Sequence, residues 1–190
     1  MTQYAYFDSS ATQPTPVIGW YDTVEFNYPN LPASSDLLVL TPAQWSSRMS
    51  QTWYVQNGTL VNPPPMTVED AQTIQISTVL YPGYLAANAS DISFTDAAGV
   101  TDTYQGDPTS VADLNNCLSA FRAAAAVPSG FYWRSATNNN NAFTYADLVN
   151  LAAAMANRGF ANFAQLQTLK ADVMSATTVS AVQAIVWSNP

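Results

Sequence analysis

The sequence predicts an α+β fold in two parts: a small β-rich N-terminal domain, then an α+β domain ending in a cluster of short helices. Three observations carry that expectation. Strand-like aromatic runs and an Asn57-Gly58 turn crowd residues 1–62, a triple proline at Pro63-Pro64-Pro65 interrupts the chain, and apolar residues at helical spacing dominate the remaining two thirds. The boundaries fall at 1–62 for the β-rich domain, 63–90 for a proline-started linker and helix, and 91–190 for the α+β domain.

Tyr4-Ala5-Tyr6-Phe7 reads as a first strand and Ile18-Gly19-Trp20-Tyr21 as a second, with a loop broken by Pro14 and Pro16 between them. Asp36 to Leu40 is a short apolar run. Thr41 is a good N-cap and Pro42 suits a first helical turn, so a short helix should reach Met49. Between Trp53 and Val61, Asn57-Gly58 can take positive φ at both central turn positions, which matches strand twist and predicts a hairpin. The prolines then end any ladder, because they lack the N–H donor and fix φ.

Thr67 with Asp70 resembles a capping box and opens a helix from Val68 to about Leu80, against the β-branched residues Thr73, Ile74, Ile76, Thr78 and Val79. Ile92–Thr95 and Val100–Gln105 flank Asp96-Ala97-Ala98-Gly99 as a second hairpin. From Asp107-Pro108 a helix with Val111, Leu114, Cys117, Leu118 and Phe121 on one face should end near Val127-Pro128. Phe131–Arg134 and Ala142-Phe143 are expected as strand segments around the polar tract Asn138–Asn141. Thr144 caps the next helix with Asp147 three residues on, and Gly159 supplies its left-handed stop. Phe163, Leu166, Leu169 and Val173 mark another helix, and Val179 to Val186 a last short one.

Composition narrows function. The chain is 48 % hydrophobic and only 9 % charged, so its surface is largely neutral and polar, and the apolar content is too high for disorder. With a net charge of −8 and five scattered cations, neither a nucleic-acid backbone nor an anionic lipid surface is an expected partner. Cys117 is the single cysteine and there is no histidine, which excludes an intrachain disulfide and leaves little for zinc; no cofactor is expected. Met1-Thr2-Gln3-Tyr4 does not begin an export signal and no run approaches ~20 apolar residues, so synthesis in a cytoplasm, without Sec export or membrane insertion, is the expectation.

Catalysis would need a nucleophile with a base, a metal site, or paired carboxylates. The carboxylate candidates are Asp22 with Glu25 and Glu69 with Asp70, but the first pair sits where a strand meets a loop and the second at a helix start, where acids favour the dipole. No enzyme is expected. Cys117, on an apolar helical face, reads as an inert thiol. Among the aromatic residues, Trp20-Tyr21 and Tyr132-Trp133 are neighbours on strands, so their side chains leave on opposite faces and one of each pair is free to be exposed. These four residues are the candidate contacts for a partner protein or a glycan.

Two stretches carry a resemblance. Thr103-Tyr104-Gln105-Gly106-Asp107-Pro108, Phe131-Tyr132-Trp133-Arg134-Ser135-Ala136, Phe143-Thr144-Tyr145-Ala146-Asp147-Leu148 and Thr177-Thr178-Val179 through Trp187 form an ordered series. It resembles a domain family that recurs in phage and prophage tail-fibre-type proteins, often at their C-termini. The aromatic opening strand, Leu37-Leu38-Val39-Leu40-Thr41, the helix from Pro42, the Asn57-Gly58 hairpin and Pro63–Pro65 are similar to the N-terminal part of phage tail-fibre assembly proteins, although Ala43-Gln44 replaces the Glu-Gln usual there. The resemblance implies a virion structural protein, in a tail or tail fibre, that docks on other tail or fibre subunits and forms a homo-oligomer such as a trimer. An assembly chaperone for a fibre protein and a receptor- or glycan-binding module are the alternatives. It brings no catalytic residue to any position.

Overall fold

Five antiparallel strands open the chain in a computed structural model that describes residues 2–188. They are β1 (Gln3–Phe7), β2 (Thr15–Asp22), β3 (Leu37–Val39), β4 (Tyr54–Gln56) and β5 (Thr59–Val61), in the sheet order β3-β1-β2-β4-β5. Between Tyr6 and Phe7 the register with β2 slips: Tyr6 faces Gly19 and Phe7 faces Val17, so Ile18 bulges out to solvent. Gly19 serves its neighbours here, since a Cβ would stand 3.4 Å from the Tyr6 ring.

The loop expected at Pro16 is instead part of β2. Val17 donates its N–H to the Trp53 carbonyl on the β4 side, so Pro16 turns its nitrogen the other way, where pairing with β1 has already ended. A proline costs no ladder bond at such a place. Helix α1 (Pro42–Ser47) is capped by Thr41 and Gln44 in a reciprocal box and ends two residues before Met49. At the β4–β5 turn Asn57 and Gly58 have φ of 50° and 69°, the conformation the sequence requires there.

This first compact unit spans Met1–Pro65, and the second spans Met66–Pro190. Residues 66–90, expected as part of a linker, thus belong to the second unit. Helix α2 (Val68–Gln75) runs through one π-helical turn (Ile76–Leu80) into α3 (Tyr81–Ala89), beyond the expected end at Leu80. The wide turn explains how the helix passes Pro82: Tyr81 already bonds the Ile76 carbonyl five residues back, so the proline's missing donor falls where the ladder is relaxed. Ala71 and Leu80 are buried, and Gln75, also buried, donates to the Ile185 carbonyl at 2.7 Å. Those contacts make the segment core rather than linker.

Hairpin β6 (Ile92–Thr95) and β7 (Thr101–Tyr104) leads to α4 (Pro108–Phe121), which stops earlier than Val127. Strands β8 (Tyr132–Arg134) and β9 (Asn140–Ala142) form a third, two-stranded sheet. Helix α5 (Tyr145–Ser175) then runs 31 residues straight through Gly159, and α6 (Val179–Gln183) comes after it. The α+β class stands, while the expected cluster of short helices is mostly one long helix.

Burial on both sides of Gly159 explains the continuity. Leu148, Leu151 and Met155 pack with Tyr104, Leu114 and Phe143 in one core cluster, and Leu166 and Val173 pack with Ala71, Leu80 and Val182 in a second. A glycine inside a helix costs about 1 kcal/mol. Burying one leucine side chain contributes ~1.5–3 kcal/mol, so two clusters on one helix outweigh it.

Candidate functional site

In the second unit, β8 places Tyr132 and Trp133 on opposite faces, as its two-residue period requires. Trp133 packs half-buried against the core cluster of Tyr104 and Leu114, and Tyr132 is 53 % exposed. Both border a groove of about 290 Å3 with Gln105, Ser110, Asp113 and Arg134. Gln105 comes directly after β7, and Ser110 and Asp113 stand on the first turns of α4, whose start is fixed by the Asp107 carboxylate accepting the N–H groups of Thr109 and Ser110.

A polar hub holds the β8–β9 end of this unit in place. One carboxylate oxygen of Asp102 accepts from the Thr103 N–H at 2.8 Å and the Thr137 hydroxyl at 2.9 Å. The other accepts from the side-chain amides of Asn141 at 3.0 Å and Asn139 at 3.1 Å. The Asn141 amide also donates to the Tyr104 hydroxyl at 2.8 Å. Donation from Asn141, then from Thr103 and Asn139, holds the Asp102 carboxyl far below the usual carboxylate range. A carboxylate so fully engaged is an anchor, not a general acid.

In the first unit the pair separates differently. Trp20 meets Trp45 edge-on with centroids 6.4 Å apart, and the Arg48 guanidinium lies 3.9 Å over the Trp45 ring. Tyr21 meets Tyr6 and, at 5.0 Å, Tyr28. Both Trp20 and Tyr21 are half-buried. Trp20, Trp45 and Arg48 line a groove of about 420 Å3 with Glu25 and Phe26. Of the four aromatic candidates, Tyr132 alone is a largely exposed ring.

One acid of each carboxylate pair has structural work. Asp22 accepts from the Gln3 amide at 3.0 Å and from the N–H groups of Val24 and Glu25, and the Gln3 bond foremost lowers its pKa. Asp70 bonds the capping hydroxyl of Thr67. Burial pushes the pKa of the Cys117 thiol up. Among the described residues no three His, Cys, Asp or Glu side chains gather as metal ligands, and no helix is long and apolar enough to cross a membrane.

Sequence reasoning missed two polar centres. Asp102 meets partners 35 to 39 residues away, a pattern no local motif announces, although the Asn138–Asn141 tract is visible as a polar loop. Arg158, one of the scattered cations, donates to the carbonyls of Asn88 at 2.8 Å and Ser90 at 2.6 Å and so closes the C-terminal end of α3. Burial lowers its pKa, and its Nε is buried without a hydrogen-bond partner. Gly106 is required beside it, because a Cβ would run into the Ser90 carbonyl oxygen and come within 2.5 Å of the guanidinium.

The arrangement at Tyr132 offers a ring face, the guanidinium donors of Arg134, the Asp113 acceptors and an amide with both functions. Its volume is at the small end of the ~300–1,000 Å3 range of ligand sites, enough for one side chain or one sugar ring. A family model described as a domain of unknown function, DUF4376, matches residues 85–186, more than half of the chain. No curated protein and no solved structure matches it.

Proposed function

The chain belongs to the DUF4376 family, and from that premise we propose that it is a non-catalytic structural subunit of a phage virion, tail-fibre or tail-associated, that docks on other phage proteins. Its phage setting rests on the resemblance carried by Thr103–Pro108, Phe131–Ala136 and Phe143–Leu148. The docking mode rests on one observation: Tyr132 stands 53 % exposed at a groove edged by Gln105, Ser110, Asp113 and Arg134. Exposed tyrosine and arginine are residue types that anchor protein interfaces.

Quantitative mass spectrometry of purified particles tests the assignment. A structural subunit is present at a fixed whole-number ratio to the fibre or tail proteins. Absence from particles, with fibres failing to form when the gene is deleted, replaces this reading with the assembly chaperone. The same groove composition suits a sugar ring, which is the second reading. Glycan-array binding that Tyr132→Ala abolishes in a folded protein would establish it.

A further inference from the structure

Helix α5 is apolar on two faces, and only one of them is covered. Leu148, Leu151, Met155, Leu166 and Val173 fill the two cores. About a third of a turn away, Val149, Ala153, Ala156, Phe160, Phe163, Gln167, Lys170 and Met174 form a second stripe with spacings of three and four. All but the half-exposed Lys170 are exposed, Phe160 by 74 % and Met174 by 62 %. Val149, Ala156, Phe163 and Lys170 recur every seven residues, and so do Ala153, Phe160, Gln167 and Met174. That is the double repeat of a helix that packs along another helix.

We propose that the stripe is covered by the same stripe of a second copy of this chain, with the two α5 helices antiparallel about a two-fold axis between Phe160 and Phe163. In that register every bulky or long side chain meets a small or complementary one. Phe160 meets Phe163 of the other copy at the axis, Gln167 lies over Ala156, the Lys170 stem lies over Ala153, and Met174 meets Val149. Asn150 and Asn157 flank Ala153 at three and four residues, so the ammonium that passes over the alanine ends beside amide oxygens. Parallel pairing fails on the same residues: Lys170 would face Lys170, and Ala153 and Ala156 would face their equals across voids. A cyclic trimer about an axis along the helix would gather three Lys170 ammoniums at one level.

Size supports a two-fold contact as well. From Val149 to Met174 the stripe is ~38 Å long and ~10 Å wide, roughly 400 Å2 in outline. That extent is within the ~300–600 Å2 of the largest surface patch on a typical monomer, a patch that is often an interaction site. Tyr81, 52 % exposed, shares a groove with Phe163, Gln167 and Lys170, and Leu85, 49 % exposed, shares one with Ala156. With these flanks added, the surface removed from water moves toward the ~800 Å2 per partner of a stable dimer. None of this depends on the phage role or on the Tyr132 groove, whose lining residues are different.

Light scattering on the full chain should give twice the chain mass. Replacing Phe160 and Phe163 together by Glu should give the single mass with the far-ultraviolet circular dichroism spectrum retained. In a Cys117→Ala background, Val149→Cys with Met174→Cys should form a disulfide-linked dimer under mild oxidation. Val149→Cys alone should not, since two copies of position 149 lie ~38 Å apart in the antiparallel pair. A monomer at all soluble concentrations overturns the proposal. So does efficient cross-linking through Val149→Cys alone, which requires parallel helices.

Discussion

Among the described residues of the first unit the buried apolar side chains are Ala5, Phe7, Leu40 and Val55, and Tyr6, Trp20, Tyr21, Phe26, Tyr28 and Trp45 stand at least partly exposed, touching one another edge to face. In the second unit two clusters bury Tyr104, Phe143 and a run of leucines and valines completely. The first unit therefore depends on ladder bonds, caps and ring contacts, each worth about 0.5–1.5 kcal/mol. The second depends on burial, at ~1.5–3 kcal/mol for each large side chain. The difference teaches that one chain can hold one region together through half-exposed ring contacts and the next through a buried core, even where that second region also leaves rings such as Tyr132 and Phe160 exposed.

Side-chain truncation is the strongest way to break that comparison. Leu151→Ala, in the middle of the first core cluster of the second unit, should cost ~2–5 kcal/mol in chemical denaturation, because the cavity cannot collapse within a packed helix. In the first unit Trp45→Ala should cost less, ~1–2.5 kcal/mol, as it loses the Trp20 contact and the Arg48 stack at a site already half open. Equal losses would show that the first unit has a core of the same kind. Gly58→Ala should cost ~1 kcal/mol from backbone strain alone, since φ is 69° and nothing lies within 4 Å of the added Cβ. A neutral result by thermal melting would mean that the turn relaxes to another type.

Acid acts on both units in the same direction. The folded pKa of Asp102 is depressed, so its contribution is complete above its unfolded value of about 3.8 and is lost as pH falls through that value toward the folded one. Asp102→Asn should flatten this acid limb in the melting temperature of the second unit. Asp22 behaves in the same sense in the first unit, with its pKa also lowered, so Asp22→Asn should flatten the acid limb there. A limb that persists in Asp102→Asn would move the linkage to Asp107, whose pKa is lowered first by the Ser110 hydroxyl, or to Asp147. At Asp147 burial raises the pKa, but hydrogen bonds from Thr144 and Ala97 outweigh it.

Much of the fold was legible because its signals are local. Asn57-Gly58, the Thr41 and Thr144 caps and the spaced apolar face of α4 each act within a few residues, and each appears where the sequence puts it. Breakers misled where tertiary contacts overrode them. Gly159 does not stop α5 because cores lie on both sides of it, and Pro16 costs nothing at the end of a pairing. The site was legible in part. Alternation on β8 put one ring of Tyr132-Trp133 outside, but the groove also needs Gln105, Ser110 and Asp113, whose approach depends on how β7 and α4 pack.

The proposed role turns on docking through that exposed ring, and one measurement addresses it most directly: the copy number of Tyr132→Ala, Arg134→Ala double-variant chain in purified particles, beside wild type. Docking through the groove predicts a variant with unchanged melting temperature whose copy number falls at least tenfold. Incorporation at the wild-type level by the folded variant would contradict it.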